Sequence, residues 1–483
     1  MGSSKADLKN RLMDFLVFLF IVFFLLLNIF FLKRFYLVGW DESVYVGMSK
    51  YISSAGQEGL FESLRPPAYP MTLAFLRIVG FDSVMHFRIL SLFFFAGVLF
   101  LTYKISSVLF NKKIGFFSIV ILGFTPVFFQ HSFQLLTGIP STFFALLSIY
   151  LLLKKRFFSA GVMFALGVLF RYPQGLILFG IICFFVSLFF SSKNYKQIFF
   201  QGLLFFAGLF LIIFTFIIIN LFMYASTSDS IVVAAFYPFL KASEHQANPV
   251  YALVSFWDNL LFYPKNILFS NFSYAFLLVG LFFLFKNKFF SSQKNILFFV
   301  PLFLFLYFSL IVNKQARFAI IFIPYLAIIA GLGFEKVFSF KNSRIVKLCS
   351  LLLLFFILKN SFNLINSFWY PQQFNEPPTD VLKVYNYFDG FNGTVLSMIP
   401  MAAAYNDAKY VPFYFDDVEA LIIYEQNPDA HAILFYNDFY PCEFFGPKCI
   451  ERKKLLLENI RNDFKMIDNV SALGYDYLFF LKK

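Results

Sequence analysis

Two acidic and five basic residues carry most of the chemistry this sequence can offer. Trp40-Asp41-Glu42-Ser43-Val44-Tyr45 puts two carboxylates side by side, and Arg65-Pro66-Pro67-Ala68-Tyr69-Pro70 puts a cation before a stiff proline run. Arg88, Arg171, Lys314 and Arg317 stand at the edges of long apolar stretches. Carboxylates facing several cations suit a reaction in which a nucleophile loses a proton while an anionic phosphate departs. The carboxylate takes the proton, and permanently charged guanidinium forks hold the phosphate where the dielectric is low. Adjacent residues point about 100° apart on a helix, so Asp41 and Glu42 are not expected to share a proton. Glu42 is expected to orient a cation or an acceptor. Asp41 is also well placed to cap a helix, with Trp40 and Tyr45 as a hydrophobic staple.

The elements that must position these residues are membrane spans. Hydrophobic residues make up 60 % of the 483, charged ones 14 %, and Phe alone occupies 80 positions. Ordinary soluble domains have roughly 45–50 % apolar and about 25 % charged residues, and no soluble chain of this size buries so much apolar surface. Runs near the ~20 residues that a span needs lie at 12–32, 88–110, 114–130, 137–153, 157–171, 173–190, 198–222, 266–285, 295–312, 317–334 and 346–367. Alternate loops are short and basic: Lys112/Lys113, Lys154/Lys155/Arg156, Lys193/Lys196, Lys286/Lys288/Lys294 and Lys336/Lys341/Arg344/Lys347, with Lys5, Lys9 and Arg11 at the start. These are expected to be cytoplasmic, which places the N-terminus inside. About eleven spans then put residues 34–86, 223–264 and 368–483 outside, together with all seven residues above.

Net charge is +13, yet residues 369–483 hold 16 acidic and 10 basic residues, leaving 11 acidic and 30 basic to the rest. The positive charge therefore belongs to the membrane part and reflects orientation, not a nucleic-acid partner. The tail alternates strand-like runs (Thr394–Pro400, Ala432–Tyr436, Tyr477–Leu481) with a helical stretch near 450–465, which reads as a small α/β domain.

Trp-Asp-Glu-x-x-Tyr after a first span, followed by Arg-Pro-Pro-x-Tyr, resembles the motifs of the GT-C superfamily of polytopic glycosyltransferases. The branch it resembles is the protein O-mannosyltransferase and aminoarabinose (lipid A) transferase group. The likeness continues through Phe87-Arg88-Ile89-Leu90, Gln130 and Gln134, Phe170-Arg171, and Lys314 to Pro324, covering about residues 1–340 in order. It implies a polyprenyl-phosphate sugar donor of the dolichyl or undecaprenyl type, and an acceptor hydroxyl on a protein, lipid or glycan. It implies Asp41 as catalytic base and Arg65 and Arg317 as donor-phosphate ligands, with Arg88, Arg171 and Lys314 as secondary cations. One departure stands out: family members carry an acid at the outer start of the fourth span, where this chain has Leu136-Thr137-Gly138-Ile139-Pro140. A divalent metal, if one binds, then has only Asp41 and Glu42 as obvious anchors.

The chain is thus expected to be an α-helical polytopic membrane protein of GT-C type, with a membrane domain over 1–367 and an extracytoplasmic α/β domain over 368–483. Its expected activity is inverting transfer of a hexosyl or pentosyl group at the outer face of the cell membrane. The alternative is a flippase or transporter for polyprenyl-linked sugars. That reading predicts ionisable groups at the midplane of several spans, whereas Lys104 and Lys359 lie near span boundaries. Glu244-His245 in the second outer loop reads as a solvated face or an acceptor contact. His86, His131, His245 and His431 are too scattered for a metal site and read as structural. Cys183 and Cys349 sit in apolar runs, while Cys442 and Cys449 are expected to form a disulfide if the tail faces an oxidising compartment.

Overall fold

A chain surrounded by hydrocarbon must satisfy its backbone polar groups within itself, so the apolar runs become helices. The computed structural model describes residues 2–32, 37–62, 65–191, 194–224, 256–286, 293–311, 314–339, 379–413, 417–437, 447–472 and 474–483, with isolated positions between 351 and 363. Contacts divide the chain into two compact units. One comprises Met1–Leu32, Ile89–Ala242 and Val254–Gln372; the other comprises Lys33–Arg88, Ser243–Leu253 and Gln373–Lys483.

In the first unit, five helices among the described residues are long and apolar enough to cross a bilayer alone: Asn10–Leu32, Val84–Leu109, Tyr172–Phe190, Tyr195–Ile218 and Gln293–Leu310. The chain is an integral, multi-pass membrane protein. Of the other expected spans, Gly138–Leu153 and Phe157–Phe170 form shorter apolar helices. The stretch 114–130 breaks into Lys112–Gly123 and Pro126–Gln130. The stretch 266–285, read as one straight span, is instead bent by 119° between Trp257–Ser270 and Phe272–Lys286. Asn271 explains the bend. Its amide donates to the Ile121 carbonyl (3.1 Å) while its oxygen accepts the Ser273 N–H (3.0 Å), and Thr125 and Tyr274 pair their hydroxyls at 2.9 Å beside it. Most of 346–367 and of the second loop lies outside the described residues.

Where helices of this unit touch closely, glycine makes the contact possible, as expected for packing without a hydrophobic drive between helices. A Cβ on Gly161 would stand 1.9 Å from the Phe205 carbonyl oxygen, and one on Gly208 would stand 2.1 Å from that of Phe158. Gly280 and Gly333 show the same reciprocity between Phe276–Lys286 and Ile323–Ser339, at 1.9 and 2.0 Å from backbone oxygens. An acid within the first span escaped the sequence reading. Asp14 accepts from the Tyr103 hydroxyl at 2.5 Å and from Lys112 at 2.6 Å.

The second unit joins the first loop to the tail. Its sheet has the order β2-β1-β3-β5-β4, from Thr394–Ser397 (β1), Lys409–Pro412 (β2), Ala432–Tyr436 (β3), Phe464–Ala472 (β4) and Tyr475–Lys482 (β5). Strands β2, β1 and β3 run parallel, and β5 is antiparallel to both β3 and β4. Alternation at period two sorts the side chains. Val395, Leu434 and Phe479 face a core shared with Val44, Met48 and Leu60 of the first loop. Leu396, Ile433 and Phe480 face Leu456 and Ile460 of helix Pro447–Asp463. The first loop, grouped by sequence with the membrane domain, is therefore one folded body with the C-terminal region.

The loop also extends the sheet. Gly59 N–H donates to the Ala408 carbonyl (3.0 Å), and Tyr410 N–H donates to the Gly59 carbonyl (2.7 Å), covering the β2 edge. Gly59 has φ +72°, and a Cβ there would fall 2.1 Å from the Gly47 carbonyl oxygen. Gly390 has a similar φ of +70° with nothing within 4 Å. Gly390→Ala is expected to cost about 1 kcal/mol from conformation alone, and Gly59→Ala at least about 3 kcal/mol. Thermal unfolding of the two variants in detergent tests this, and equal shifts would exclude a steric role for the Gly47 contact.

Candidate functional site

Helix Trp40–Ser53 begins just after three consecutive backbone groups are caught by side chains. Arg88 donates from Nη2 to the Leu37 carbonyl (3.0 Å). Val38 N–H donates to the Tyr405 hydroxyl (3.0 Å), and Gly39 N–H donates to Glu42 Oε2 (2.7 Å). Glu42, not Asp41, thus closes the helix start, which is the physical reason it is 5 % exposed. Arg88 is buried at 2 % exposure, and Glu42 acts on it electrostatically. Asp41 pairs with Arg65. Its Oδ1 lies 3.0 Å from Arg65 Nη1, while Glu62 Oε2 lies 2.7 Å from Arg65 Nε, so one guanidinium spans two carboxylates. Of the two, Asp41 keeps the more accessible side chain, 22 % exposed against 6 %. The Arg65 guanidinium also sits 5.7 Å from the Tyr45 ring, which packs edge-on to Tyr69. Burial works against the Arg65 charge, but Tyr45, Glu62 and Asp41 together hold its pKa above the ordinary value.

Arg171, Arg317 and Lys314 belong to the membrane unit. Arg171 follows helix Phe157–Phe170 with extended backbone and lies 5.2 Å from the Phe318 ring. Arg317 lies 5.9 Å from the same ring and donates from Nε to the Gln315 side chain. Two like charges thereby lie near one aromatic ring. Arg171 Nη1 reaches the Thr137 hydroxyl at 3.4 Å. Beside them His131 holds the Val127 carbonyl at 2.8 Å through Nδ1. Burial and then the charges of Arg317 and Arg171 outweigh that hydrogen bond and push its pKa down to about 4. Lys314 donates to the carbonyls of Phe308 and Ser309 (2.8 and 2.7 Å), in the last turn of helix Ile296–Leu310. Burial brings its pKa down to about 8.

Comparison with known proteins bears on this arrangement. The family of dolichyl-phosphate-mannose-protein mannosyltransferases matches residues 65–219, which include Arg65, Arg88 and Arg171. ArnT from Cupriavidus metallidurans bound to undecaprenyl phosphate superposes with a TM-score of 0.65 at 10 % identity, over 97 % of each chain. The archaeal oligosaccharyltransferase AglB from Archaeoglobus fulgidus, in complex with an inhibitory peptide and a dolichol-phosphate, superposes at 0.57. That match has 14 % identity and covers 96 % of this chain and 74 % of that one. This chain has the GT-C fold of these two structures, and about a third of it matches the mannosyltransferase family. No curated protein matches it by sequence.

The GT-C pattern raises the question of a divalent ion, and the donor set does not fit one. Asp41 faces Arg65, and Glu42 faces a backbone N–H. Among the described residues no three of His, Cys, Asp and Glu converge. At Gly138, where the GT-C pattern places an acid, a Cβ would meet only the Ile320 side chain at 3.7 Å, so space for a carboxylate exists and the sequence leaves it empty.

Sequence reasoning missed Glu62 and Tyr405. Glu62 was legible as an i,i+3 partner of Arg65, but Tyr405 sits 367 residues from Val38 and carries no local signal. Cys449 is buried and disulfide-bonded; its expected partner Cys442 lies outside the described residues, as do Glu244 and His245.

His131 gives a pH test. Below about pH 6.5 the unfolded chain takes a proton that folded His131 refuses until about pH 4, so the fold loses stability as pH falls through that window. His131→Gln is expected to flatten the fall of the unfolding midpoint between pH 7 and 5. Parallel profiles for variant and wild type would mean that the folded imidazole is not held neutral.

Proposed function

We propose that this protein transfers a sugar from a polyprenyl phosphate, of dolichyl or undecaprenyl type, to an acceptor hydroxyl at the extracytoplasmic face of the membrane, with inversion. The observation that carries the reading is the 3.0 Å pairing of Asp41 with Arg65, a guanidinium that Glu62 also holds, in a chain of GT-C fold. In this reading about eleven spans cross the membrane with the N-terminus inside, and the unit containing the tail lies outside.

The chemistry is a single displacement. The acceptor oxygen attacks the anomeric carbon as its proton passes to Asp41. The bond from that carbon to the phosphate oxygen breaks, and polyprenyl phosphate leaves with the electron pair. Arg65 balances the charge of Asp41 from 3.0 Å. Arg171 and Arg317 repel each other across Phe318, and a phosphate dianion relieves that repulsion, so they are assigned to the leaving group. Lys314 and Arg88 are positioning residues in this scheme, one closing a helix end and the other holding residue 37.

The donor's tail needs an apolar seat. A groove of about 510 Å³ in the membrane unit is lined by Tyr263, Pro264, Leu278, Phe298, Phe305 and Leu326 and suits an isoprenoid chain. Cys442 and Cys449 are assigned to one disulfide.

The test follows release of polyprenyl phosphate by purified protein in lipid, with a panel of polyprenyl-phosphate sugars and candidate acceptors. Asp41→Asn is expected to lower release about 10²–10⁴-fold. Equal rates for both proteins would remove Asp41 as base. Silence with every donor and acceptor, accompanied by movement of labelled lipid across vesicles, would establish the flippase instead. A second expectation concerns Arg65→Lys, since an ammonium cannot span Asp41 and Glu62 as a fork does. Release is expected to fall about tenfold or more, and an unchanged rate would show that the shared guanidinium is dispensable.

A further inference from the structure

The apolar groove and the arginine pair of the membrane unit meet at one side chain. Tyr263 lines the groove with its ring and is fully buried. That ring packs edge-on to Phe308 (6.3 Å) and Phe322 (5.8 Å). Phe308 in turn lies 5.4 Å from Phe318, the ring that Arg171 and Arg317 share. A continuous aromatic layer therefore runs from groove wall to cation pair.

The Gln315 backbone bonds to the oxygen of the Tyr263 hydroxyl, but the proton of that hydroxyl has no acceptor among the described residues. The Arg171 charge and the Gln315 backbone are both close enough to act on it. Tyr274, which also lines the groove, differs in this respect, because its hydroxyl is satisfied by Thr125 at 2.9 Å. Leaving the proton of a buried phenol without an acceptor costs about as much as a lost hydrogen bond, so such groups call for a role. A phenylalanine would line the groove equally well.

We propose that the Tyr263 hydroxyl donates a hydrogen bond to the phosphate of the bound polyprenyl lipid, fixing the point where the apolar tail ends and the headgroup begins. This rests on the donor reading above and adds a residue to it. The ring grips the first isoprenoid units while the hydroxyl, with Arg171 and Arg317, meets the phosphate oxygens. Tyr263 would thus set the depth at which the anomeric carbon is presented.

The experiment measures binding of undecaprenyl phosphate and of undecaprenol to the full chain in nanodiscs, where ordinary phospholipid is already in excess. The readout is the ratio of the two affinities, which a merely structural side chain does not move. Wild type is expected to prefer the phosphate, and Tyr263→Phe to cut that preference about tenfold while binding the alcohol unchanged. Tyr263→Leu is expected to weaken both lipids, because the ring is lost as well. If Tyr263→Phe retains the wild-type ratio while Arg317→Gln lowers it, the phosphate site stands and Tyr263 has no part in it. If wild type itself shows no preference for the phosphate, the donor reading and the role of Tyr263 fall together.

Discussion

A carboxylate beside a membrane serves as a base only if its charge is balanced without being used up, and here the balance depends on how one guanidinium is divided. Arg65 is claimed by both Glu62 and Asp41. Had it a single partner, that partner would be a closed ion pair and a poor proton acceptor. Glu62 is the more buried of the two and holds Nε, while Nη1 of the same guanidinium balances Asp41, whose side chain is 22 % exposed. The prolines after Arg65 restrict its backbone, and the rings of Tyr45 and Tyr69 close the space beneath it. The start of helix Trp40–Ser53 is built for the same end. Glu42, Tyr405 and Arg88 take the polar groups of residues 37–39.

The membrane unit answers a different constraint. Hydrocarbon gives helices no reason to associate, so contact relies on closeness. The reciprocal glycines Gly161/Gly208 and Gly280/Gly333 provide it. Where the chain must turn sharply, at Asn271, a single amide both caps the new segment and ties it to the end of a neighbouring helix. The bend helps to line the groove, since residues on both sides of it form the wall. Irregular backbone at membrane depth is thus confined to where it is bonded by protein.

Much of this was legible in the sequence because it is written in local pattern. Apolar runs marked the helices, strand-like alternation marked β1, β3 and β5, and helix Pro447–Asp463 fell where a helix near 450–465 was expected. The Asp41 and Arg65 motifs could be singled out, but that they touch could not. What stayed hidden were properties of contact. Arg88 holds the Leu37 carbonyl and Lys314 those of Phe308 and Ser309, contacts that no local pattern records. The union of the first loop with the tail joins residues more than 300 positions apart, and no periodicity records it. Nor does a count of apolar residues reveal a 119° bend.

That union has a consequence for how the protein comes to exist. Val44, Met48 and Leu60 share their core with residues between 381 and 479, and Gly59 hydrogen-bonds an edge strand that begins at Lys409. A ribosome adds about 5–20 residues per second, so the 367 residues between Val38 and its partner Tyr405 take on the order of 20–70 s to make. Throughout that interval the helix that carries Asp41 has an apolar face with no partner core to join, because every strand of the sheet lies in the tail. Assembly of that loop is therefore necessarily one of the last events in biogenesis. A chain truncated before the tail would retain its spans while leaving that loop exposed to chaperones and proteases.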